Sequence, residues 1–404
     1  MTLVGGEAID PYSLDRAGLT ALVAELGQPR YRAGQVHAWL VKGVDDPADM
    51  TDLPTDLRAQ LAQRFAPTRP TLLAHSVADD GHTHKLLLSH PDGEAIETVL
   101  MLYPGRATVC VSSQAGCAMG CPFCATGQLG FRRQLGAGEI VRQVVVADAA
   151  LRSGDLGAEH LPDDAPDHVT NVVYMGMGEP LANLDATVAS LRWLHDPEGF
   201  NLSARHLTVS TVGLVPGINR LAELGLPITL AVSLHAGNDQ LRDDLVPVNR
   251  SHNIAELVAA ATAYRDATGR RVTLEWCLIG EVNDSDRDAD ELAAIARRMR
   301  AHVNVIPMNP TPGVQWKEPS RRRTRAFVDR CRASGANVTL RDTRGRDADA
   351  ACGQLLASYT LGSGSRLPAA VGAAERIDTR RANRPMLDAD GSVGGDDRGG
   401  SEHG

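Results

Sequence analysis

Hydrophobic and polar residues follow three different periodicities along the chain. Apolar residues recur at helical spacing between residues 14 and 66, with a break at Gln28-Pro29. Between residues 72 and 102, two apolar runs flank Pro91-Asp92-Gly93, which is typical of a hairpin turn. From residue 107 onward, short apolar runs alternate with longer amphipathic stretches. The pattern predicts three helices in the first part, then a β-hairpin, then an α/β domain.

The α/β part of the chain predicts seven strands separated by helices. Such alternation is typical of a parallel sheet with helices on its outside. Chemistry in parallel α/β architectures gathers at the carboxyl ends of the strands, so residues that follow a strand are the first candidates for a site. The predicted strands are 107–112, 169–175, 207–210, 228–234, 272–278, 303–307 and 338–341, and the predicted helices include 139–152, 184–195, 254–267, 289–300 and 324–334.

Composition narrows the class of protein. No apolar run approaches the ~18 residues that a membrane span needs, and the polar N-terminus lacks a signal-peptide pattern. Seven cysteines among 404 residues without such a signal argue against a disulfide scaffold. We therefore expect a cytoplasmic protein that binds no membrane. The Gly-, Asp- and Arg-rich segment 362–404 is predicted to be a disordered tail.

Three cysteines within eight residues, Cys117, Cys121 and Cys124, have the spacing C-x3-C-x2-C. Thiolates at this spacing suit an iron–sulfur cluster or zinc. A structural zinc site uses four protein ligands, and no His or further Cys follows within the next dozen residues. A four-iron cluster bound by three cysteines keeps one iron open to a ligand that is not protein. The count therefore favours the iron–sulfur cluster over zinc.

The cysteine spacing resembles that of the radical S-adenosylmethionine (SAM) enzymes. The preceding residues, Cys110-Val-Ser-Ser-Gln-Ala-Gly-Cys117, narrow the resemblance to the bacterial adenine-C2 RNA methyltransferases of the RlmN family and their C8-methylating Cfr-type relatives. It covers about residues 12–360 and implies a [4Fe–4S] cluster whose open iron binds SAM. The implied fold is α/β, with a helical accessory domain at 1–75, a β-hairpin linker at 76–102 and a partial (β/α)6 barrel at 103–361, followed by the tail.

The resemblance implies a SAM site at the strand ends. Gly176-Met177-Gly178-Glu179-Pro180 follows a predicted strand and resembles the family's Gly-Glu-Pro motif. Alone, a Gly-rich turn with an acidic residue is common at a strand-to-helix junction, but the resemblance implies that Gly178 and Glu179 bind the amino group of SAM. Taken singly, the other candidates are more typical of turns and caps. The further SAM contacts implied by the resemblance are Ser210, Ser233, Leu234, His235 and Asn309.

Three further residues are implied to be catalytic. Cys352, in Ala-Cys-Gly-Gln-Leu, resembles the methyl-carrying cysteine, although a small buried thiol is the plain alternative. Cys110 matches the second catalytic cysteine, which forms a transient disulfide with Cys352. Glu97, within Ile96-Glu97-Thr98, matches the proton acceptor, although an outward-facing strand position is the alternative. Burial near the cluster would raise the pKa of Glu97 toward the range of a general base.

The implied reaction explains why two extra cysteines are needed. Adenine C2 is electron-poor and its C–H bond is not acidic, so polar methyl transfer from SAM is disfavoured. In the family mechanism, Cys352 accepts a methyl group from one SAM as a thiolate. A second SAM yields the radical that activates this methyl group for addition to adenine. Cys277 and Cys331 match no family position and are expected to be core or helix residues.

RNA partners are expected in spite of the net charge of −9. Residues 317–346 contain ten Lys or Arg against three Asp or Glu, and they precede Cys352. We expect this run to bind phosphate, with help from Arg132 and Arg133, although charge runs are usually solvated faces. The helical module offers a second candidate surface for RNA, although an ordinary solvated helix face explains the same residues equally well. Its candidate residues are Arg30, Tyr31, Arg32, His37 and Lys42.

The resemblance implies methylation of C2 of adenine in 23S ribosomal RNA and in transfer RNA next to the anticodon. It also implies an electron donor such as flavodoxin, and we expect a monomer. Two alternatives stay open: a Cfr-like C8 methyltransferase with the same cysteines, and a non-catalytic, metal-stabilised RNA-binding module. The segment 153–168 looks like an insertion without a chemical role.

Overall fold

A computed structural model describes residues 8–154, 162, 165–309, 314, 316–341 and 354. Cys352, Arg344, Arg346 and the predicted tail at 362–404 lie outside these residues, as does most of the segment predicted to be an insertion. Within the described residues, no helix combines the length and the apolar character that crossing a membrane requires.

The N-terminal module contains the three helices that the periodicity predicts. They are α1 (Arg16–Glu25), α2 (Tyr31–Val41) and α3 (Thr55–Arg64). Helix α1 begins where the Asp15 carboxylate accepts a hydrogen bond from the Gly18 N–H at 2.8 Å, which satisfies one of the open N–H groups of its first turn. Leu19, Val36 and Leu57 of the three helices are fully buried.

Four antiparallel strands connect the helical module to the barrel. They are β1 (Thr71–Ala78), β2 (Thr83–Ser89), β3 (Ala95–Tyr103) and β4 (Arg106–Cys110), each paired with the next. The predicted hairpin is confirmed, because β2 and β3 flank the turn that contains Gly93 (φ +88°). A separate two-stranded sheet follows, formed by β5 (Gln114–Gly116) and β6 (Phe131–Gln134), with the short helix α4 (Ala125–Leu129) between them.

The remaining elements alternate as the sequence predicts. The helices are α5 (Ala137–Ser153), α6 (Leu184–His195), α7 (Val215–Glu223), α8 (Asp239–Leu245), α9 (Ile254–Thr268), α10 (Asp286–Met299) and α11 (Arg321–Ala333). The strands are β7 (Asn171–Tyr174), β8 (Leu207–Thr211), β9 (Thr229–Ser233), β10 (Thr273–Leu278), β11 (His302–Pro307) and β12 (Asn337–Leu340).

Among the described residues, the main sheet has ten strands in the order β1-β2-β3-β4-β7-β8-β9-β10-β11-β12. From β4 to β12 all neighbours are parallel. Six strand–helix units therefore run from β4 to α11, and β12 adds a seventh parallel strand. This confirms the partial (β/α)6 barrel, with one more strand than six units require.

The two faces of the barrel strands differ in polarity. Residues that face the helices are apolar and buried, such as Val109, Val209 and Leu274. Residues on the opposite face are mostly polar and line one cavity of about 440 Å³, and they include Thr108, Asn171, Thr208, Ser210, Thr229, Ser233, Thr273, Glu275 and Asn304. The polar residues of adjacent strands lie directly opposite one another, since Ser233 pairs with Glu275 and Glu275 pairs with Asn304. A polar interior of this kind suits a polar ligand or water.

A buried arginine attaches the helical module to the barrel. Arg142 of α5 is 3% exposed, and its guanidinium lies 4.4 Å from the centre of the Tyr12 ring. It forms ion pairs with Asp10 (3.1 Å) and Asp45 and donates to the Thr68 hydroxyl at 2.5 Å. Since a buried charge needs such partners, this cluster fixes the module against α5.

The expected position of His37 on a nucleic-acid surface is wrong. Its side chain is 1% exposed and packs edge-on against Trp193 of α6, with ring centres 5.4 Å apart. Burial lowers its pKa, so the ring is neutral at pH 7. The sequence did not reveal this contact because it joins two distant parts of the chain.

Candidate active site

The cysteine loop follows β5, and its entry depends on one glycine. Gly116 has φ +73°, and a Cβ at this position would lie 2.0 Å from the Gly130 carbonyl oxygen. The next residue, Cys117, donates its N–H to the same carbonyl at 3.0 Å. A side chain at residue 116 would separate β5 from the start of β6. The glycine therefore lets the loop close tightly before the first cysteine.

Cys117, Cys121 and Cys124 all line the same cavity. Burial raises the pKa of Cys117 to about 11, and it raises the pKa of Cys121 and Cys124 as well. Cys124 and Cys117 contribute to the raised pKa of Cys121, because thiolates that lie near one another repel each other. Buried thiols of this kind keep their protons until a metal replaces them. The donor set therefore fits a cluster that takes three thiolates.

The glycine-rich loop after β7 approaches the cysteine loop closely. A Cβ on Gly178, whose φ is +99°, would lie 2.6 Å from the Gln114 Cβ, and one on Gly176 would lie 2.7 Å from the Val111 carbonyl oxygen. Gln114 in turn accepts the Glu179 N–H at 2.8 Å. The glycines therefore bring the backbone of this loop to the cavity, as the sequence predicts for a ligand-binding turn.

Glu179 is buried and lines the cavity. One carboxylate oxygen accepts the Leu181 N–H at 2.9 Å and the other accepts the Val212 N–H at 2.8 Å. Burial nevertheless raises the pKa of Glu179 to about 7. A cationic amine would shift the equilibrium to the ionised form, so the site suits a ligand with an ammonium group.

His235 presents an N–H group to the cavity. It adopts a left-handed backbone conformation (φ +59°), and its Nδ1 accepts the backbone N–H of Cys277 at 2.9 Å. Burial lowers the pKa of His235 to about 3, helped by Arg242, so the ring is neutral. Because Nδ1 is an acceptor, the ring proton is on Nε2. The edge-to-face contact with Phe123 of the cysteine loop, at 4.9 Å, holds the ring in place.

The structure brings most of the other predicted SAM contacts to the same cavity. Ser210 and Ser233 lie at the carboxyl ends of β8 and β9 and are half-buried, and Asn309 follows β11 and is buried. Leu234 differs, because its side chain packs in the hydrophobic core. Any contact from Leu234 to a ligand would therefore be through its backbone.

Arg242, which no sequence motif indicates, holds the ends of the strands together. It is 0% exposed and donates to the carbonyl oxygens of Leu234 (3.0 Å), Val212 (2.6 Å) and Ser233 (3.2 Å). It also donates to the Asn249 side chain at 2.8 Å. Burial lowers its pKa to about 10, which leaves it charged at pH 7. An arginine in an acidic helix gives no sequence signal for this role.

Glu97 and Cys110 face the same side of the sheet. Val99 pairs directly with Cys110, and both residues line the cavity. Glu97 lies two residues before Val99 on β3, so its side chain points to the same face. Glu97 is 2% exposed. The plain alternative for Glu97, an outward-facing strand position, is therefore wrong.

Backbone contacts tie Glu97 to the glycine-rich loop. Its carbonyl oxygen accepts the Ser112 hydroxyl at 2.7 Å, and that hydroxyl also accepts the Met177 N–H at 2.9 Å. The Glu97 N–H lies 3.4 Å from the Met177 sulfur. Gln143 of α5 binds both backbone groups of Ser112, at 2.7 and 2.9 Å. These bonds fix the position of Glu97 relative to the predicted SAM loop.

The two cysteines expected to be core or helix residues differ. Cys331 lies on α11 and is fully buried in the main core, as expected. Cys277 lies on a strand, β10, where it packs against a smaller apolar cluster but is only half-buried and also lines the cavity. The alternation along β10 carries the signal, because Thr273 and Glu275 on the same face are polar.

The expected basic rim is partly neutralised. Arg133 forms a two-point ion pair with Glu139, at 2.8 Å on both sides, and a further one with Asp92. Arg323 and Arg330 pair with Asp286 and Asp290, both at 2.6 Å. The exposed arginines in these two regions that remain candidates for phosphate contact are Arg132, Arg321, Arg322, Arg325 and Arg341. Arg341 also lines the cavity.

A partial barrel with a three-cysteine loop at the carboxyl ends of its strands defines a radical-SAM enzyme. Residues 111–293 match the model of the Radical SAM superfamily, and residues 9–66 match the ribosomal RNA large subunit methyltransferase N-terminal domain. A crystal structure of a radical SAM methyltransferase from Sphaerobacter thermophilus is 50% identical, with a TM-score of 0.80 over 86% of this chain and 99% of that chain.

The curated relatives specify the family. A probable dual-specificity RNA methyltransferase RlmN from Salinispora tropica is 50% identical over 85% of this chain and 92% of its own length. A second, from a Parafrankia strain, is 51% identical over 88% of this chain and 94% of its length. The chain belongs to the RlmN family. Membership of this family implies a [4Fe–4S] cluster and SAM as cofactors.

Proposed function

We propose that the protein methylates C2 of adenine in 23S ribosomal RNA and in transfer RNA at the adenine next to the anticodon. The observation that carries this proposal is the meeting of two sets of residues at one cavity. The cluster cysteines and the glycine-rich loop form one set. The other set is Cys110, which lines the cavity, and Glu97, which lies next to it on the same face of the sheet. Cleavage of SAM alone needs the first set and gives no reason for the second.

The first set of residues holds the cofactors. Cys117, Cys121 and Cys124 ligate the cluster, and Glu179 with the backbone of Gly178 binds the amino group of SAM. The cavity-lining Ser210, Ser233 and Asn309, the His235 Nε2–H and the backbone of Leu234 bind its other polar groups. When bound, the [4Fe–4S] cluster and SAM supply a 5′-deoxyadenosyl radical that activates a methyl group on the protein. The family uses two SAM molecules in each turnover, one as methyl donor and one as radical source.

The second set of residues performs the transfer. Cys352 accepts the methyl group as a thiolate and carries it to the adenine carbon. Glu97 accepts the C2 proton. Cys110 then attacks the Cys352 sulfur as a thiolate and forms a transient disulfide, while the bond between that sulfur and the transferred carbon breaks and the carbon takes a proton to give the methyl product. The burial of Glu97 and Cys110 supports these roles, since water would otherwise compete for the same proton. The disulfide stays a prediction, because Cys352 lies outside the described residues.

Exposed basic residues support an RNA partner. Arg30, Tyr31 and Lys42 are exposed on the helical module, and the Arg32 guanidinium lies 4.8 Å from the centre of the Tyr31 ring. Such a pair suits stacking on a base next to a phosphate. Arg321 lies at the start of α11, on the side of the barrel where β11 ends, which is also the side of the cluster. We further propose a cytoplasmic monomer that receives electrons from a flavodoxin-type donor.

Reconstituted protein tests the proposed function. Purified anaerobically with its cluster, it is incubated with SAM, a reductant and 23S rRNA or tRNA, and the nucleosides are analysed by mass spectrometry against 2-methyl- and 8-methyladenosine. We expect 2-methyladenosine from wild-type protein and from Cys331→Ala, which changes a buried cysteine outside the cavity. Cys352→Ala should yield none. Only 8-methyladenosine, or full activity of Cys352→Ala, would overturn the proposal.

A further inference from the structure

A buried ion pair joins Glu97 to the neighbouring strand. The Lys85 ammonium lies 3.2 Å from Glu97 Oε1, and the two side chains are 12% and 3% exposed. Lys85 pairs directly with Val99 across the sheet, and Leu87 pairs with Glu97. The two charged residues are therefore diagonal neighbours on one face of the sheet, the face that carries Cys110. The lysine thus lies on the active-site side and not on the surface.

Burial makes this pair more consequential than an exposed one. A carboxylate removed from water favours its protonated form, and a nearby cation restores the ionised form. A proton acceptor must be ionised before the proton arrives. The backbone of Glu97 is already fixed by Ser112 and Met177. The ammonium adds the remaining constraint, because it fixes the direction of the carboxylate.

We propose that Lys85 is a positioning residue that keeps Glu97 ionised and oriented toward the adenine. The inference rests on the proposed function, in which Glu97 accepts the C2 proton. In that step the proton leaves C2 for a Glu97 carboxylate oxygen, and the electron pair of the C–H bond stays in the ring. Lys85 acts only through Glu97 and does not touch the substrate. Its loss therefore slows proton removal and leaves the earlier steps unchanged.

Four variants test the role of Lys85: Lys85→Met, Lys85→Arg, Glu97→Gln and the double variant Lys85→Met/Glu97→Gln. The matched control is Arg220→Met, which removes the cation of an exposed ion pair with Asp185 on the outside of the barrel. Each cluster-loaded protein is measured in a single turnover for methylated Cys352, 5′-deoxyadenosine, RNA covalently bound to protein and released methylated RNA. The first three report the steps up to proton removal, and released methylated RNA reports the steps after it.

We expect Glu97→Gln to slow product release by about 10²-fold, the lower end of what a general base contributes. Lys85→Met should slow it by about tenfold, less than Glu97→Gln, because the carboxylate that accepts the proton is still present. In both variants methylated Cys352 and 5′-deoxyadenosine form as in wild type, and covalently bound RNA accumulates. Lys85→Arg should restore most of the release rate. The double variant should match Glu97→Gln, because Lys85 acts on proton removal through the Glu97 carboxylate.

Three outcomes would overturn the role of Lys85. Release from Lys85→Met at the wild-type rate would show that the ammonium is dispensable, and equal defects in Lys85→Arg and Lys85→Met would show that its charge is irrelevant. Loss of methylated Cys352 in Lys85→Met would show a structural role. If Lys85→Met does not fold, the double variant decides, because a further loss beyond Glu97→Gln contradicts action through Glu97. A wild-type protein that methylates no RNA would instead refute the proposed function, and an unimpaired Glu97→Gln would refute the base.

Discussion

Replacing Arg242 with methionine should destabilise the barrel and weaken SAM binding together. The side chain is fully buried and donates four hydrogen bonds, three of them to carbonyl oxygens at the ends of β8 and β9. Hydrogen bonds from a charged donor contribute ~2 kcal/mol each. Burial of the guanidinium lowers the pKa of Arg242 to about 10, and the free-energy cost of burying this charge is ~3 kcal/mol. The net loss is then about 5 kcal/mol, a large part of a typical domain's stability.

Two measurements test the role of Arg242. Chemical denaturation followed by circular dichroism gives the free energy of unfolding, and equilibrium dialysis with labelled SAM gives the Kd. The control is Arg250→Met, which changes an exposed arginine that follows Arg242 in the sequence. This change should alter the free energy of unfolding by less than ~0.5 kcal/mol. An Arg242→Met protein that loses less than ~1 kcal/mol and binds SAM as wild type does would refute the reasoning.

Three further predictions follow from the site and the domain contact. Glu179→Gln should weaken SAM binding, and wild-type protein should release protons when it binds SAM near pH 6. The reason is that the raised pKa of Glu179, about 7, leaves its carboxyl group largely protonated at this pH until the ammonium group of SAM binds. Calorimetry in buffers of different ionisation enthalpy measures the proton release, and a binding enthalpy that does not depend on the buffer would contradict the prediction. Gly178→Ala should reduce SAM affinity at least tenfold in the same assay, since its Cβ would lie 2.6 Å from Gln114; wild-type affinity would show that the loop tolerates a side chain. Arg142→Met should remove the buried cation that pairs with the largely buried Asp10 and Asp45, leaving Asp45 only the exposed Arg69 at 3.9 Å, and should lower stability by ~3 kcal/mol. Cleavage by protease near residue 69 is the readout, and a resistant variant would show that the module is held by other contacts.

Much of the fold followed from local pattern. All seven parallel strands and the predicted helices occur within a few residues of their expected positions. This succeeded because short apolar runs and amphipathic stretches have different periods, and because both faces of the sheet are buried. The cysteine loop was equally readable, since its ligands lie within eight residues.

Long-range contacts explain what the sequence did not reveal. The roles of Arg242 and Lys85 depend on partners that only the folded sheet places beside them. The local sequence favours a surface position for His37 for the same reason, because the residue that covers it, Trp193, lies in another domain. Cys277 was a different case: alternation along β10 already placed it with Thr273 and Glu275, on the face that lines the cavity.

The central claim is that a protein thiol carries the methyl group, and a pulse–chase experiment tests it most directly. Cluster-loaded protein is incubated with SAM labelled in its methyl group, freed of SAM by gel filtration, and then mixed with RNA, reductant and unlabelled SAM. Mass spectrometry follows the peptide that contains Cys352 and the nucleosides of the RNA. We predict a labelled methyl group on Cys352 after the first step and labelled 2-methyladenosine in the first turnover. Label that stays on the protein while the RNA gains only unlabelled methyl groups would contradict the account.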